Sequence, residues 1–98
     1  MTETLARLNA TYTEHVIEDF QKKRVPVEIP LCLKEDRIAY GHNLEISYPL
    51  KEVLDVSYRY EPGKIGFLYI HTIQGVRTFQ INSDPAGFVE QFHQLDHL

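Results

Sequence analysis

The chain has 98 residues, 43% of them hydrophobic, and a formal charge of −4. That is enough for one domain with its own core, too apolar for a disordered chain, and too acidic for broad charge-driven binding to nucleic acid. The single cysteine, Cys32, excludes an intrachain disulfide and fits a reducing, cytosolic setting.

The first fifteen residues, MTETLARLNATYTEH, show no charged head followed by an apolar run, so no signal peptide is expected. No apolar run approaches a membrane span. The reading is of a single domain over 1–98: an N-terminal helix (1–24), an antiparallel β meander (25–82) and a C-terminal capping helix (83–98).

In the first segment, Leu5, Leu8, Tyr12, Val16 and Phe20 recur at steps of three and four, one helix stripe. The basic run Lys22-Lys23-Arg24 would then sit at the C-terminal end, where positive charge suits the helix dipole. The β-branched residues Thr11, Thr13, Val16 and Ile17 argue against this, and a strand within Tyr12 to Phe20 is the alternative.

Val25 to Leu33 alternates, with Pro26 and Pro30 on one parity, so their missing N–H groups fall on one side. That suits an edge strand or an edge turned to solvent. Lys34-Glu35-Asp36 reads as a turn, and Arg37 to His42 as the next strand. Leu44 to Tyr48 follows, with Leu44, Ile46 and Tyr48 inward. In Val53 to Tyr60, alternation puts Leu54, Val56, Tyr58 and Tyr60 on one face. Glu61-Pro62-Gly63 has the type II turn pattern.

Lys64 to Ile81 is the central hairpin, turning at Gln74-Gly75. Phe67 and Tyr69 lie on one face, Leu68 and Ile70 on the other, so both faces need cover or a partner. Asp84 before Pro85 starts the final helix, whose stripe is Phe88, Val89, Phe92 and Leu95. Six or seven curled strands and a lid make a mainly β, α+β domain.

The pattern resembles the pleckstrin-homology-like superfamily, especially its small bacterial members and GRAM domains. The residues that carry the likeness are Leu31, Leu33, Arg37, Ile38 and Tyr40, then Ile46, Tyr48-Pro49-Leu50, Val53 and Val56. Phe67-Leu68, Ile70, Thr72, Gly75, Arg77, Phe79, Ile81 and the helix positions Phe88, Val89, Phe92 and Leu95 complete them.

The resemblance implies two nearly orthogonal antiparallel sheets, capped at one open end by the C-terminal helix. Phe92 stands where many members carry a tryptophan. It also implies a binding module. Lipid-binding members use basic residues on the first hairpin; here Lys34 and Arg37 flank a turn that also holds Glu35 and Asp36.

The leading functional expectation is a non-enzymatic module that acts in the cytosol through protein contacts, at an exposed sheet edge and a helix-adjacent groove. The two-sided hairpin and the extra helix suggest a homodimer. A second expectation is attachment to acidic lipid headgroups through Lys22, Lys23, Arg24, Lys34 and Arg37. A third is a small metal-binding or acid/base protein using His15, beside Glu14, Glu18 and Asp19, or the i, i+4 pair His93 and His97. Solvated charges and surface histidines weigh against the last two. No cofactor is expected. Cys32 reads as a small buried or half-buried thiol, and the tyrosines as core residues with hydroxyls at the rim.

Overall fold

The structure is a computed structural model that describes residues 4–95. Seven antiparallel strands run β1 (Thr4–Glu18), β2 (Gln21–Lys34), β3 (Arg37–Tyr40), β4 (Ile46–Pro49), β5 (Val53–Arg59), β6 (Gly66–Thr72) and β7 (Gly75–Ile81). One α-helix, α1 (Ala86–Gln94), closes the order. The sheet order is β4-β3-β2-β1-β7-β6-β5, so β1 and β7 are the seam between two halves. That seam is short: Ala10 pairs with Ile81 and Thr11 with Gln80. Inside the curl lie Leu31, Leu33, Ile38, Leu68, Ile70 and Ile81, joined by Phe88, Val89 and Phe92 from the helix.

The expected N-terminal helix over 1–24 is corrected to strand from Thr4 on; residues 1–3 lie outside the described residues. Residues 4–18 form β1, which pairs with β2 from Thr4↔Lys34 out to Glu18↔Gln21. Asp19 and Phe20 make the two-residue turn, both at positive φ (51° and 65°), the geometry of a primed hairpin turn. β-Branched side chains favour this extended state, and β2 satisfies the backbone that a helix would have satisfied internally. The basic run Lys22-Lys23-Arg24 therefore sits in a strand beside a turn, not at a helix end.

Among the described residues, β1 past Thr11 has no register partner but β2, and before Leu31 β2 has none but β1. A two-stranded arm thus leaves the body. Seven residues of strand from Tyr12 to Glu18 span roughly 23 Å. The arm accounts for the elongated shape, 53 × 30 × 25 Å. Pro26 and Pro30 fall on this stretch of β2, on the side turned away from β1: the Pro30 carbonyl accepts the Gly41 N–H at 3.3 Å. The shared parity turns both missing N–H groups to this side, where Pro26 has no register partner but β1 and the Pro30 carbonyl already bonds Gly41.

Three local features depart from simple alternation. A register shift between Val53 and Asp55 puts Val53 and Val56 inside and leaves Leu54 68% exposed. Leu44 lies in a left-handed turn before β4, and Ile46, though on the core-side face opposite Tyr40, is 43% exposed at the start of the strand. The β6–β7 turn is Ile73-Gln74, one residue earlier than expected. Thr72 and Gly75 pair across it, and the Thr72 hydroxyl accepts the Gln74 N–H at 3.1 Å and donates to the Gly75 carbonyl at 2.8 Å. At Glu61–Lys64 the type II pattern is present as read: Gly63 has φ 81° and the Lys64 N–H bonds the Glu61 carbonyl. Of the expected helix over 83–98, Ala86–Gln94 is helical, and residues 96–98 lie outside the described residues. The helix starts at Ala86, whose N–H donates to Asp84 Oδ1 at 2.9 Å.

Tyr40 links the two halves of the sheet. Its ring meets Phe79 of β7 edge-on at 4.9 Å and stacks on Tyr48 of β4 at 5.8 Å, with the two hydroxyls 3.2 Å apart. Burial, then the hydrogen bond with Tyr48, pushes the Tyr40 phenol up to about 12. A raised pKa means that the fold favours the neutral phenol. The contribution is complete below the ordinary tyrosine value of about 10 and is lost as pH rises through about 12. Ultraviolet difference titration is expected to show one late-ionising phenol, coincident with alkaline loss of structure and absent in Tyr40→Phe. An unchanged late step in that variant would contradict the assignment.

Candidate functional site

The five basic residues expected to form one headgroup site lie at opposite ends of β2. Lys22, Lys23 and Arg24 are near the arm tip; Lys34 and Arg37 flank the β2–β3 turn on the body. Ten residues of strand separate Arg24 from Lys34, roughly 30 Å. Strand alternation also puts Lys23 on the opposite face from Lys22 and Arg24. Lys23 pairs with Glu18 at 3.5 Å, and Arg37 with Asp36 at 3.2 Å. Both pairs are exposed.

The histidines are similarly divided. His15 is paired across the ribbon with Arg24, a cation; Glu14 and Glu18 point to the other face. The cluster drawn for a helix therefore does not assemble. His97 lies outside the described residues. His93 Nε2 meets Asp55 Oδ1 at 3.0 Å, across from helix to β5. That hydrogen bond, with a smaller contribution from the Val56 N–H, holds the Asp55 carboxyl below the usual carboxylate range. His71 Nε2 and the Ser57 hydroxyl are 2.8 Å apart on the outer face of β5 and β6. Among the described residues, no three His, Cys, Asp or Glu side chains group as metal ligands.

Cys32 is buried. The tyrosines do not share one groove: Tyr40 and Tyr48 stack between the sheet halves, Tyr69 stacks on Phe67 at 6.4 Å, and Tyr58 is exposed beside the helix.

What the fold does bring together is β5 and α1. β5 ends the sheet order, so among the described residues one of its edges has no strand partner. The helix packs against β5 and β1 because Phe88, Val89 and Phe92 enter the core. Between helix and strand runs an open hollow of about 540 Å³, lined by Tyr58, Ala86, Val89, Glu90, His93 and Gln94. Its wall is mixed: an exposed phenol ring, the rim of Val89, one carboxylate and an imidazole. The Asp55–His93 contact ties the C-terminal turn of the helix to the strand at one end. An extended backbone laid along β5 would find unpaired N–H and C=O groups and this hollow beside them. Sequence reading pointed to an exposed sheet edge and a helix-adjacent groove, but missed Tyr58 in its lining and the Asp55–His93 contact at its end.

Among the described residues, no helix is long and apolar enough to cross a membrane. Compared with models of known protein families, with curated proteins and with solved structures, the chain matches none.

Proposed function

We propose that this is a non-enzymatic binding module of pleckstrin-homology-like architecture, acting in the cytosol by holding an extended segment of a partner protein between β5 and α1. The observation that carries this is the unpaired edge of β5 beside the hollow at Tyr58, Val89 and Glu90. The seven-stranded meander, with a closing helix whose phenylalanines fill the core, supports the architectural part. Backbone pairing would supply affinity, and the hollow would select one or two side chains.

The test is selection from a random peptide display library, followed by calorimetric titration of the selected peptides. Binders are expected, and Tyr58→Ala is expected to weaken them about tenfold or more, the loss typical of an aromatic anchor. Tyr58 is 42% exposed, so its removal spares the core. Selected peptides indifferent to both Tyr58→Ala and Glu90→Lys, or no binders at all, would overturn the reading.

A further inference from the structure

We propose that the β1–β2 arm is a dimerisation arm. Two copies of this chain pack their arms face to face and antiparallel, with Val16 and Val25 at the centre and each Phe20 seated at the base of its partner's arm.

The arm's two faces differ. Cross-strand partners share a face, so Tyr12 and Val27, Glu14 and Val25, Val16 and Lys23 lie together on the face that continues the core. The other face carries Thr13 with Pro26, His15 with Arg24 and Ile17 with Lys22. A lone two-stranded ribbon is marginal in water, and a sheet with one apolar face is stabilised by packing on another. A second copy supplies an identical face.

The edges are poorer candidates. Pro26 and Pro30 take N–H groups away from the outer side of β2. The outer side of β1 is open, but a symmetric pairing there brings Glu14 and Glu18 of one copy against the same acids of the other.

Charge favours self-association of the faces. Glu14, Glu18 and Asp19 belong to β1 and the turn; Lys22, Lys23 and Arg24 belong to β2. The arm is neutral in sum, so it has little long-range attraction for a surface of one sign, such as an anionic bilayer. The face that continues the core is mixed: Glu14 and Lys23 stand on it diagonally, one beside Val25 and the other beside Val16, and Lys23 also pairs with Glu18 of its own chain. A half-turn about an axis across the arms puts Glu14 over the partner's Val16, next to the partner's Lys23, and does so twice.

Size fixes the role of the tip. The ribbon's footprint is about 23 Å by 10 Å. That is well short of the roughly 800 Å² per partner of a standard interface. Antiparallel arms bring each tip to the other's base, where a phenylalanine adds on the order of 150–250 Å², for a total of roughly 400–500 Å² per partner, the size of a weak, reversible dimer. Phe20 is wholly exposed in the single chain and holds φ at 65°, a conformation that favours glycine or asparagine. In the monomer that strain stands with no packing by the ring to set against it, and contact of the ring with a partner would supply the packing.

Sedimentation equilibrium of the full chain at tens of micromolar is expected to give a dimer. Val16→Asp with Val25→Asp is expected to give a monomer whose body still unfolds cooperatively. Glu14→Lys is expected to weaken the dimer about tenfold, and adding Lys23→Glu to restore it, a rescue that general damage to the arm would not show. A monomeric wild type overturns the proposal. So does a dimer indifferent to all three changes, or a monomer that cosediments with phosphatidylcholine–phosphatidylserine vesicles through Phe20. The proposal is independent of the groove at β5, so failure of peptide binding leaves it standing.

Discussion

Replacing Phe92 with alanine is expected to lower the free energy of unfolding by about 3–5 kcal/mol. A domain of this size holds only about 5–15 kcal/mol in total, so the variant would sit near the edge of folding. The reasons are local. Phe92 is 2% exposed, and with Phe88 and Val89 it forms the part of α1 that enters the curl of the sheet. Its ring faces Ile, Leu and Val side chains contributed by strands from both halves, which cannot all move inward to refill the space. The helix itself is nine residues long, too short to persist without that packing. Loss of the ring therefore loosens the lid as well as the core. Urea unfolding with an unchanged m-value would report the cost. Phe20→Ala is the matched control: the same side chain removed from a wholly exposed site, expected to shift stability by less than about 0.5 kcal/mol at dilutions that keep the chain monomeric. A Phe92→Ala protein as stable as that control would mean that the helix does not close the domain.

The sequence is most legible where one period excludes the other. Phe67 to Thr72 and Val76 to Ile81 alternate, lie close together and flank Gln74-Gly75, so their pairing is legible in the sequence, with the turn one residue off. The first segment was not. Leu8, Tyr12, Val16 and Phe20 are four residues apart, and a step of four returns to the same face in a helix and in a strand alike. Only the step of three from Leu5 to Leu8 favoured the helix, whereas the β-branched run from Thr11 to Ile17 favoured the strand. What decided was outside the segment: β2 continues past Val25 back to Gln21 and offers a backbone partner along the whole length. At Leu54, alternation failed for a different reason. One inserted residue in β5 reverses the faces on either side of it, and nothing in Val53-Leu54-Asp55 announces a bulge.

The candidate sites were less legible than the fold, because proximity in the chain was taken for proximity in space. Lys22–Arg24 and Lys34–Arg37 looked like one basic surface, yet one straight strand holds them far apart. Conversely, Asp55 and His93 are 38 residues apart and share a hydrogen bond, because β5 is the strand that α1 crosses. The groove could be foretold as a consequence of the architecture, an edge strand beside a helix, but its lining residues depended on where the bulge fell. The arm could not be foretold at all while its first strand was taken for a helix.

Ala10→Asp is expected to bring the chain to the edge of unfolding at neutral pH. Ala10 is 2% exposed and belongs to the pair, with Ile81, that begins the seam between the two halves of the sheet. Its methyl group points into the cluster of Leu8, Leu31, Ile81 and the helix phenylalanines. An uncompensated carboxylate in such a place costs about 3–5 kcal/mol, comparable with the whole stability of a small domain. The pH dependence follows in sign. Burial raises the pKa of the introduced carboxyl above its value in the unfolded chain, so the penalty is greatest when the unfolded form is ionised and shrinks as pH falls and both forms become protonated. Mildly acidic buffer should therefore recover part of the folded signal in circular dichroism, where the parent chain gains nothing. Asn9→Asp places the same carboxylate one residue away on the exposed face of β1 and is expected to change stability by less than about 0.5 kcal/mol. If the two variants unfolded alike, β1 would not carry its alternation into the core at the seam. The continuity of the sheet from β4 to β5, on which the placement of both the groove and the arm depends, would fail with it.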